Sequence, residues 1–327
     1  MNPSFVLRAV NDVVFEDRPK PELKDPYDVL VHVAQTGICG SDATNRSGTI
    51  TAIGSRVANL EPGDRVALEP GVPCRRCEFC RKGKYHLCLD LIFAATPPHD
   101  GTLARYYVNA SDFCYRIPDS NDPGGGRDGR TCQRRGGDRE DRGFRGAPDG
   151  GVAKAGGAGK IIGVDVVGER LELAREEYGV DGTFMPPKPE EGKDSLEHAE
   201  AVSRLIKEEF GLGDGADVVL ECSGAEACVQ MGVYTLKSGG TMVQAGMGKE
   251  VVNFPITTVC TRGLVVKGSI RYLAGCYPAA IDLIAKGKVG VRKLITNRFK
   301  FEQSEEAFQL VKEGRPDVFK VMIEGVQ

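Results

Sequence analysis

The chain has 327 residues, 41% hydrophobic and 27% charged, with a net charge of -3. That length suggests roughly two domains, the composition is that of a globular protein, and the slight negative balance argues against bulk attraction to nucleic acid or an anionic membrane. The opening MNPSFVLRAVNDVVFEDRPK has no basic stretch followed by an apolar core, and no run of about 18 apolar residues occurs, so neither a signal peptide nor a membrane span is expected. Eleven cysteines in such a chain point to a reducing, cytoplasmic setting and to metal-bound or buried thiols.

The first third reads as β-rich. DVLVHVAQTG and GDRVALEPG are apolar runs bounded by turn residues, and GTLARYYVNASDFCYRIP continues the pattern. His32 lies inside an apolar strand and is expected to be packed; His99, in PPHD, is expected in a loop. Between these strands lies CRRCEFCRKGKYHLC, in which Cys74, Cys77, Cys80 and Cys88 have the spacing C-x2-C-x2-C-x7-C. Four thiolates on short loops suit a tetrahedral zinc, with no open position for chemistry. Free thiols, a disulfide pair and an iron–sulfur cluster compete with this reading, although the last usually brings further cysteines and a following proline. His86 sits among these cysteines as a possible extra ligand.

From Pro123 to Gly146 the sequence is PGGGRDGRTCQRRGGDREDRGFRG, glycine and charge with Phe144 as its one aromatic. Residues 122–150 are expected to be disordered or irregular. An arginine/glycine nucleic-acid box would interleave aromatics, and here Asp128, Asp138, Glu140, Asp141 and Asp149 offset the arginines.

Beyond it strands and helices alternate, which implies a doubly wound α/β sheet. KIIGVDV is a buried parallel strand and ERLELAREEYG an amphipathic helix. ADVVLEC is a strand, AEACVQMGVYTLKSGG a helix ending at Gly239, and GTMVQAG and LVVKGS are strands. AKAGGAGK fits neither phosphate-loop pattern and looks like the tail of a helix. YPAAIDLIAKGKV and SEEAFQLVKEG read as helices, the second capped by Ser304, and KVMIEG as a closing strand.

GICGSD, EPGDRVALEPGVPCRRCEFCRKGKYHLC, FAATPPHDGTL, GVDVVGERLELA, ECSGAE, GGTMVQAGMGK, FPITTVC, VKGSIRY and SEEAFQLVKEG occur in that order over about four fifths of the chain. Together they resemble the zinc-dependent medium-chain dehydrogenases, and within them the fungal xylitol dehydrogenases (D-xylulose reductases) and sorbitol dehydrogenases. The resemblance implies a GroES-like catalytic domain over 1–121 with 276–327, an aberrant Arg/Gly-rich segment over 122–150, and a Rossmann NAD-binding domain over 151–275. It implies zinc and NAD as cofactors, a small polyol as substrate, and a homo-oligomer, commonly a tetramer. By the same resemblance Cys39 is a ligand of a catalytic zinc, with Ser41 and Asp42 in its loop. Arg271 and Tyr272 lie near that zinc and its bound water. Asp165 and Arg170 contact the adenosine ribose; Ala245, Gly246, Met247, Ser269, Ile270 and Arg271 lie on the cofactor side.

Two family features are missing. GICGSDATNR runs straight into SGTITAIGS, without the tyrosine-bearing segment and the Gly-His-Glu motif that completes the catalytic zinc site. The Arg/Gly run stands where the family has a zinc-proximal helix with a glutamate–proline pair, the first Rossmann strand and its glycine turn. One allowed back-translation of Gly125–Asp138, read from the second base, gives Glu-Gly-Ala-Met-Val-Glu-Pro-Val-Ser-Val-Ala-Val-Glu. The run therefore reads as coding sequence out of frame. Two expectations follow: an impaired NAD-dependent polyol dehydrogenase converting xylitol to D-xylulose, or a non-catalytic zinc-stabilised remnant or binding module with a disordered insert.

Overall fold

A computed structural model describes residues 1–9, 12–39, 42–118, 146–189, 192, 194–315 and 317–327. Ser41 and residues 119–145, with most of the Arg/Gly run, lie outside the described residues. The chain divides into two compact units: one holds the described residues up to 118 with Tyr272–Gln327, the other those from 146 to Arg271.

The first unit opens with an antiparallel hairpin of β1 (Asn2–Ala9) and β2 (Asp12–Arg18), which the sequence reading did not assign. Then come β3 (Asp28–Cys39), β4 (Asp42–Ile53), β5 (Arg65–Leu68) and β6 (Gly71–Val72). The short helix α1 (Glu78–Arg81) and β7 (Ile92–Phe93) frame the cysteine loop, followed by β8 (Tyr106–Ala110) and β9 (Cys114–Arg116). β3 is the hub: β4, β8 and the carboxy-terminal strand of the chain all pair with it antiparallel. Its apolar alternation turns Val29 and Val31 into a core with Ile50, Val66, Leu68 and Cys114. Burial of such branched side chains contributes about 1.5–3 kcal/mol each. Gly48 on β4 must be glycine, because a Cβ there would collide with the His32 carbonyl of β3. His32 itself is partly buried and packs beside Tyr106, and His99 lies in an exposed loop as expected.

The second unit runs α2 (Gly146–Ala155), β10 (Ile162–Val164), α3 (Gly168–Tyr178), β11 (Gly182–Phe184), α4 (Ser195–Glu209), β12 (Ala216–Glu221), α5 (Glu226–Thr235), β13 (Leu236–Gln244), α6 (Ile256–Thr261) and β14 (Val265–Gly268). Every strand pair is parallel. This is the doubly wound α/β pattern, but in two sheets among the described residues: β10-β11 and β12-β13-β14. Three expectations need correction. Residues 146–150 are helical, not irregular; Pro148 is tolerated there because N–H groups of a first turn have no partner within the helix. The helix begun in AEACVQ stops at Thr235 rather than Gly239, since Leu236 already pairs with Ala216 as strand. The third concerns Ser304, described below. Helix α4, capped by the Asp194 carboxylate on the Leu196 and Glu197 amides, was not assigned from sequence.

The chain returns to the first unit through α7 (Cys276–Ala285), β15 (Ile295–Phe299), α8 (Ser304–Glu313) and β16 (Lys320–Glu324). Ser304 is not the cap of α8. Its hydroxyl donates to the Phe301 carbonyl at 2.5 Å, and Gln303 stands at the cap position with no side-chain bond to the first amides of the helix. Ala307 on α8 packs with Ile38, Val321 and Ile323.

Candidate functional site

The cysteine loop forms a built metal pocket. Cys74 follows β6, Cys77 caps α1, Cys80 lies within it, and Cys88 closes a 3-10 turn over Tyr85–Leu87. Their four sulfurs lie within 4.8 Å of one another, with Cys77–Cys80 at 3.4 Å and Cys74–Cys80 at 3.9 Å. Sulfurs about 2.3 Å from a tetrahedral zinc would stand about 3.8 Å apart, so the residues fit that ion. None of the four is in a disulfide. The loop is shaped to hold thiolates. Cys77 N–H donates to Cys74 Sγ at 3.3 Å, and Cys74 N–H to Cys88 Sγ at 3.4 Å. Backbone N–H groups of Arg76 and Cys77 pull the Cys74 thiol down to about 7, while burial and neighbouring sulfurs push Cys80 up to about 12. Four thiolates cannot coexist at this spacing without a cation, and a bound zinc would deprotonate them together. His86 is not part of the cluster.

Behind the loop sits a buried acid that sequence reasoning missed. Glu69, after β5, is 2% exposed. Tyr85, between two of the cysteines, donates to its Oε1 at 2.8 Å, and Tyr115 on β9 donates to its Oε2 at 2.8 Å. Burial pushes Glu69 up to about 7 against these two bonds. The Arg75 guanidinium clamps the loop from outside with two bonds to Asp112, at 2.8 and 2.7 Å.

The expected catalytic zinc fits less well. β3 and β4 form one continuous hairpin in which Cys39 pairs with Asp42. Only two residues separate Cys39 from Asp42, where the family resemblance implies an excursion carrying His and Glu ligands. Among the described residues, the four loop cysteines are the only group of three or more His, Cys, Asp and Glu that could hold a metal. His32 faces Tyr106, and His198 lies on α4 in the other unit. The ligand set needed for a second zinc is not present among them.

In the second unit, the residues expected on the cofactor side follow the carboxyl ends of parallel strands, where doubly wound sheets bind ligands. Asp165 follows β10, is buried, and accepts the Val167 N–H at 3.0 Å; Arg170 is buried in the first turn of α3. Ala245, Gly246 and Met247 follow β13, and Ser269, Ile270 and Arg271 follow β14, with Ser269 N–H donating to the Gln244 carbonyl at 3.0 Å. Glu221 ties two of these loops together. Its carboxylate accepts from the amides of Ser223 (2.8 Å) and Gly224 (2.8 Å) and from Gln244 Nε2 (2.5 Å). Gly246 must be glycine, because a Cβ would collide with Gly224 N. Arg271 adopts φ 54°, an uncommon conformation for a side-chain-bearing residue. Tyr272 packs in the first unit against Tyr277, ring centroids 5.2 Å apart, in a cluster with Ala67, Phe93 and Ile117. The family resemblance implies that Asp165 and Arg170 border the adenosine side of a dinucleotide and the loops after β13 and β14 its nicotinamide side. The pyrophosphate cradle is different. Gly124, Gly126 and Gly129 spell G-x-G-x-x-G, but DSNDP just before them is not the apolar run that pattern requires, and they lie outside the described residues.

Comparison with known proteins matches residues 25–119 to the alcohol dehydrogenase GroES-like domain and 150–286 to the zinc-binding dehydrogenase domain. The chain is 44% identical to D-xylulose reductase A of Aspergillus niger, over 99% of this chain and 97% of that one. It is equally similar, at 44%, to the probable D-xylulose reductase A of Aspergillus terreus, over 100% of this chain and 99% of that protein. An oxidoreductase of Escherichia coli of unknown specificity superposes with a TM-score of 0.82 at 26% identity, covering 100% of this chain and 99% of that one. The chain belongs to the zinc-binding dehydrogenases, GroES-like domain followed by a Rossmann domain, oxidoreductases that work with zinc and NAD. The Aspergillus terreus alignment runs over 369 positions against 327 residues here, so at least 42 of them, the difference, have no counterpart in this chain.

Proposed function

We propose that this chain is a polyol dehydrogenase of the xylitol/D-xylulose kind, NAD-linked and held together by zinc on Cys74, Cys77, Cys80 and Cys88, whose own turnover is severely reduced. The relatives named D-xylulose reductase support the substrate class. The β3–β4 hairpin carries the reduced turnover: with Cys39 paired to Asp42, no excursion between them can bring further ligands to a catalytic ion. Such an ion, when bound, polarises the substrate oxygen for hydride transfer to the nicotinamide. What this chain's residues do is more limited. Asp165 offers a carboxylate for ribose hydroxyls, and Glu221 fixes the loops that would border the nicotinamide. We further propose a homo-oligomer, a reading supported by the exposed Val265 and Val266 on the edge strand β14.

The test is xylitol-dependent NADH formation by the zinc-loaded protein, beside the Aspergillus niger relative. The expected kcat/KM is lower by about 10^3-fold or more, the scale of losing a principal stabiliser of developing charge. A value within about tenfold of the relative, some 1.4 kcal/mol in barrier, would overturn the reading.

A further inference from the structure

Three of the four loop thiols are close together in sequence and the fourth is not. Cys74, Cys77 and Cys80 are spaced two residues apart, and α1 arranges the last two, with Cys77 at its cap and Cys80 within it. Cys88 follows only after seven further residues. Bringing it back to the others costs the conformational entropy of that connection. A connection already ordered in the metal-free protein spares the ion that cost and raises its affinity.

The connection has such an anchor. Residues 81–84 and Leu87 are exposed, whereas Tyr85 is half-buried. The Tyr85 hydroxyl donates to Glu69 Oε1 at 2.8 Å, and its ring meets Phe113 edge-on with centroids 5.5 Å apart. At its other end the Tyr85 carbonyl accepts the Cys88 N–H at 2.9 Å. Tyr85 thus ties the body of the first unit to the 3-10 turn that ends on Cys88. From there the bond from Cys74 N–H to Cys88 Sγ, at 3.4 Å, carries the arrangement to the other arm of the site. Glu69 is a firm base for this tie. Its N–H donates to the Phe113 carbonyl at 2.9 Å, and its own carbonyl accepts from Asn109 Nδ2 at 3.4 Å. Its second carboxyl oxygen takes the Tyr115 hydroxyl at 2.8 Å, which keeps the group from turning away from Tyr85.

We propose that Glu69 is a positioning residue for the loop zinc: through Tyr85 it holds the Tyr85–Leu87 turn, and with it Cys88, in place before the ion binds. The inference rests on the reading of the four cysteines as a zinc site, and it gives the buried acid a task within that site. Groups that orient the ligands of a metal from behind change its affinity by about 10–100-fold when removed.

The experiment measures zinc affinity by competition with a chromophoric chelator in the full-length wild type, Y85F, Y115F and E69L. Y85F removes the hydroxyl on the loop, and Y115F removes the matching hydroxyl on β9, outside the loop. Y85F is expected to weaken zinc binding by about tenfold or more, and Y115F by less than about threefold. E69L offers neither hydroxyl an acceptor and should weaken binding about as much as Y85F. Adding Y85F to E69L should cost nothing further, because the two changes break one link. After zinc is stripped, the Cys88 amide is expected to stay protected from exchange in the wild type and Y115F and to lose protection in Y85F. A side chain that only stabilised the fold would not single out that amide. Zinc affinity in Y85F within about threefold of the wild type, equal losses in Y85F and Y115F, additive losses in E69L/Y85F, or Cys88 exchange that is alike in the stripped wild type and Y85F would each overturn the proposal and leave the zinc site standing. If E69L does not fold, the two tyrosine variants decide by themselves. Wild-type protein that takes up no zinc at the loop would overturn the zinc assignment and this proposal with it.

Discussion

Cys74 and Glu69 show how differently two residues can announce themselves. The four cysteines were readable because their ligand spacing is local, a few residues apart on one loop. Zinc bound to such loops stabilises small domains by about 10–16 kcal/mol in apparent terms, so the purified protein is expected to carry one zinc per chain and C80S to lose it; metal analysis that finds zinc undiminished in C80S contradicts the assignment. Glu69 was not readable, because its partners Tyr85 and Tyr115 come from 16 and 46 residues away. Its raised pKa, from 4.5 to about 7, fixes a sign. Below about 4.5 the acid is protonated in both folded and unfolded chains. Between there and about 7 only the folded chain keeps the proton, so rising pH favours unfolding, by up to about 3 kcal/mol, and above 7 the loss is complete. Denaturant titrations of the wild type and E69Q, both zinc-saturated, should therefore diverge in favour of E69Q between pH 5 and pH 8, as the handful of units around these pKa values dictates. Parallel curves would show that Glu69 is ionised throughout.

At the scale of elements, β3 and β4 were legible as strands but their connection was not. DVLVHVAQTG and GTITAI carry the apolar alternation that fills one face with Val29, Val31 and Ile50, whatever lies between them. Only the family resemblance implies that a metal-bearing excursion belongs there. The hairpin closes readily because pairing continues to Cys39 and Asp42 without a break in direction. Inserting the Aspergillus niger relative's segment between Cys39 and Ser47 should preserve the sheet, since a longer surface connection adds only about 0.6 kcal/mol of closure entropy per doubling. The expected result is a rise from one zinc per chain to two. An insert that folds with its loop zinc intact yet binds no second ion would refute the view that the missing connection is what empties the second site. Helix boundaries were the other failure: ACVQMGVYTLKSGG is helical by local preference, but Leu236 is claimed by the ladder to Ala216, a tertiary contact that propensity cannot anticipate.

Over the whole molecule, strand–helix alternation disclosed the doubly wound fold, whereas the two separate sheets that its described residues form became visible only from the pairing. Each unit has its own core: β3 at the centre of the first, and two separate clusters in the second, one around Val233, Leu236 and Met242, the other around Phe184, Val202 and Ile206. The second unit leaves apolar side chains of β12 exposed, Val218 and Leu220 among them. The first unit by contrast gains from the zinc it binds, because a metal that binds only the folded form stabilises it by mass action. The two units are therefore expected to unfold in separate steps, the second at the lower temperature. Calorimetry of the zinc-loaded protein should resolve two transitions. A strong zinc chelator should lower the upper transition by removing metal from the cysteine loop and leave the lower one in place. A single transition displaced by the chelator would mean that the units unfold as one.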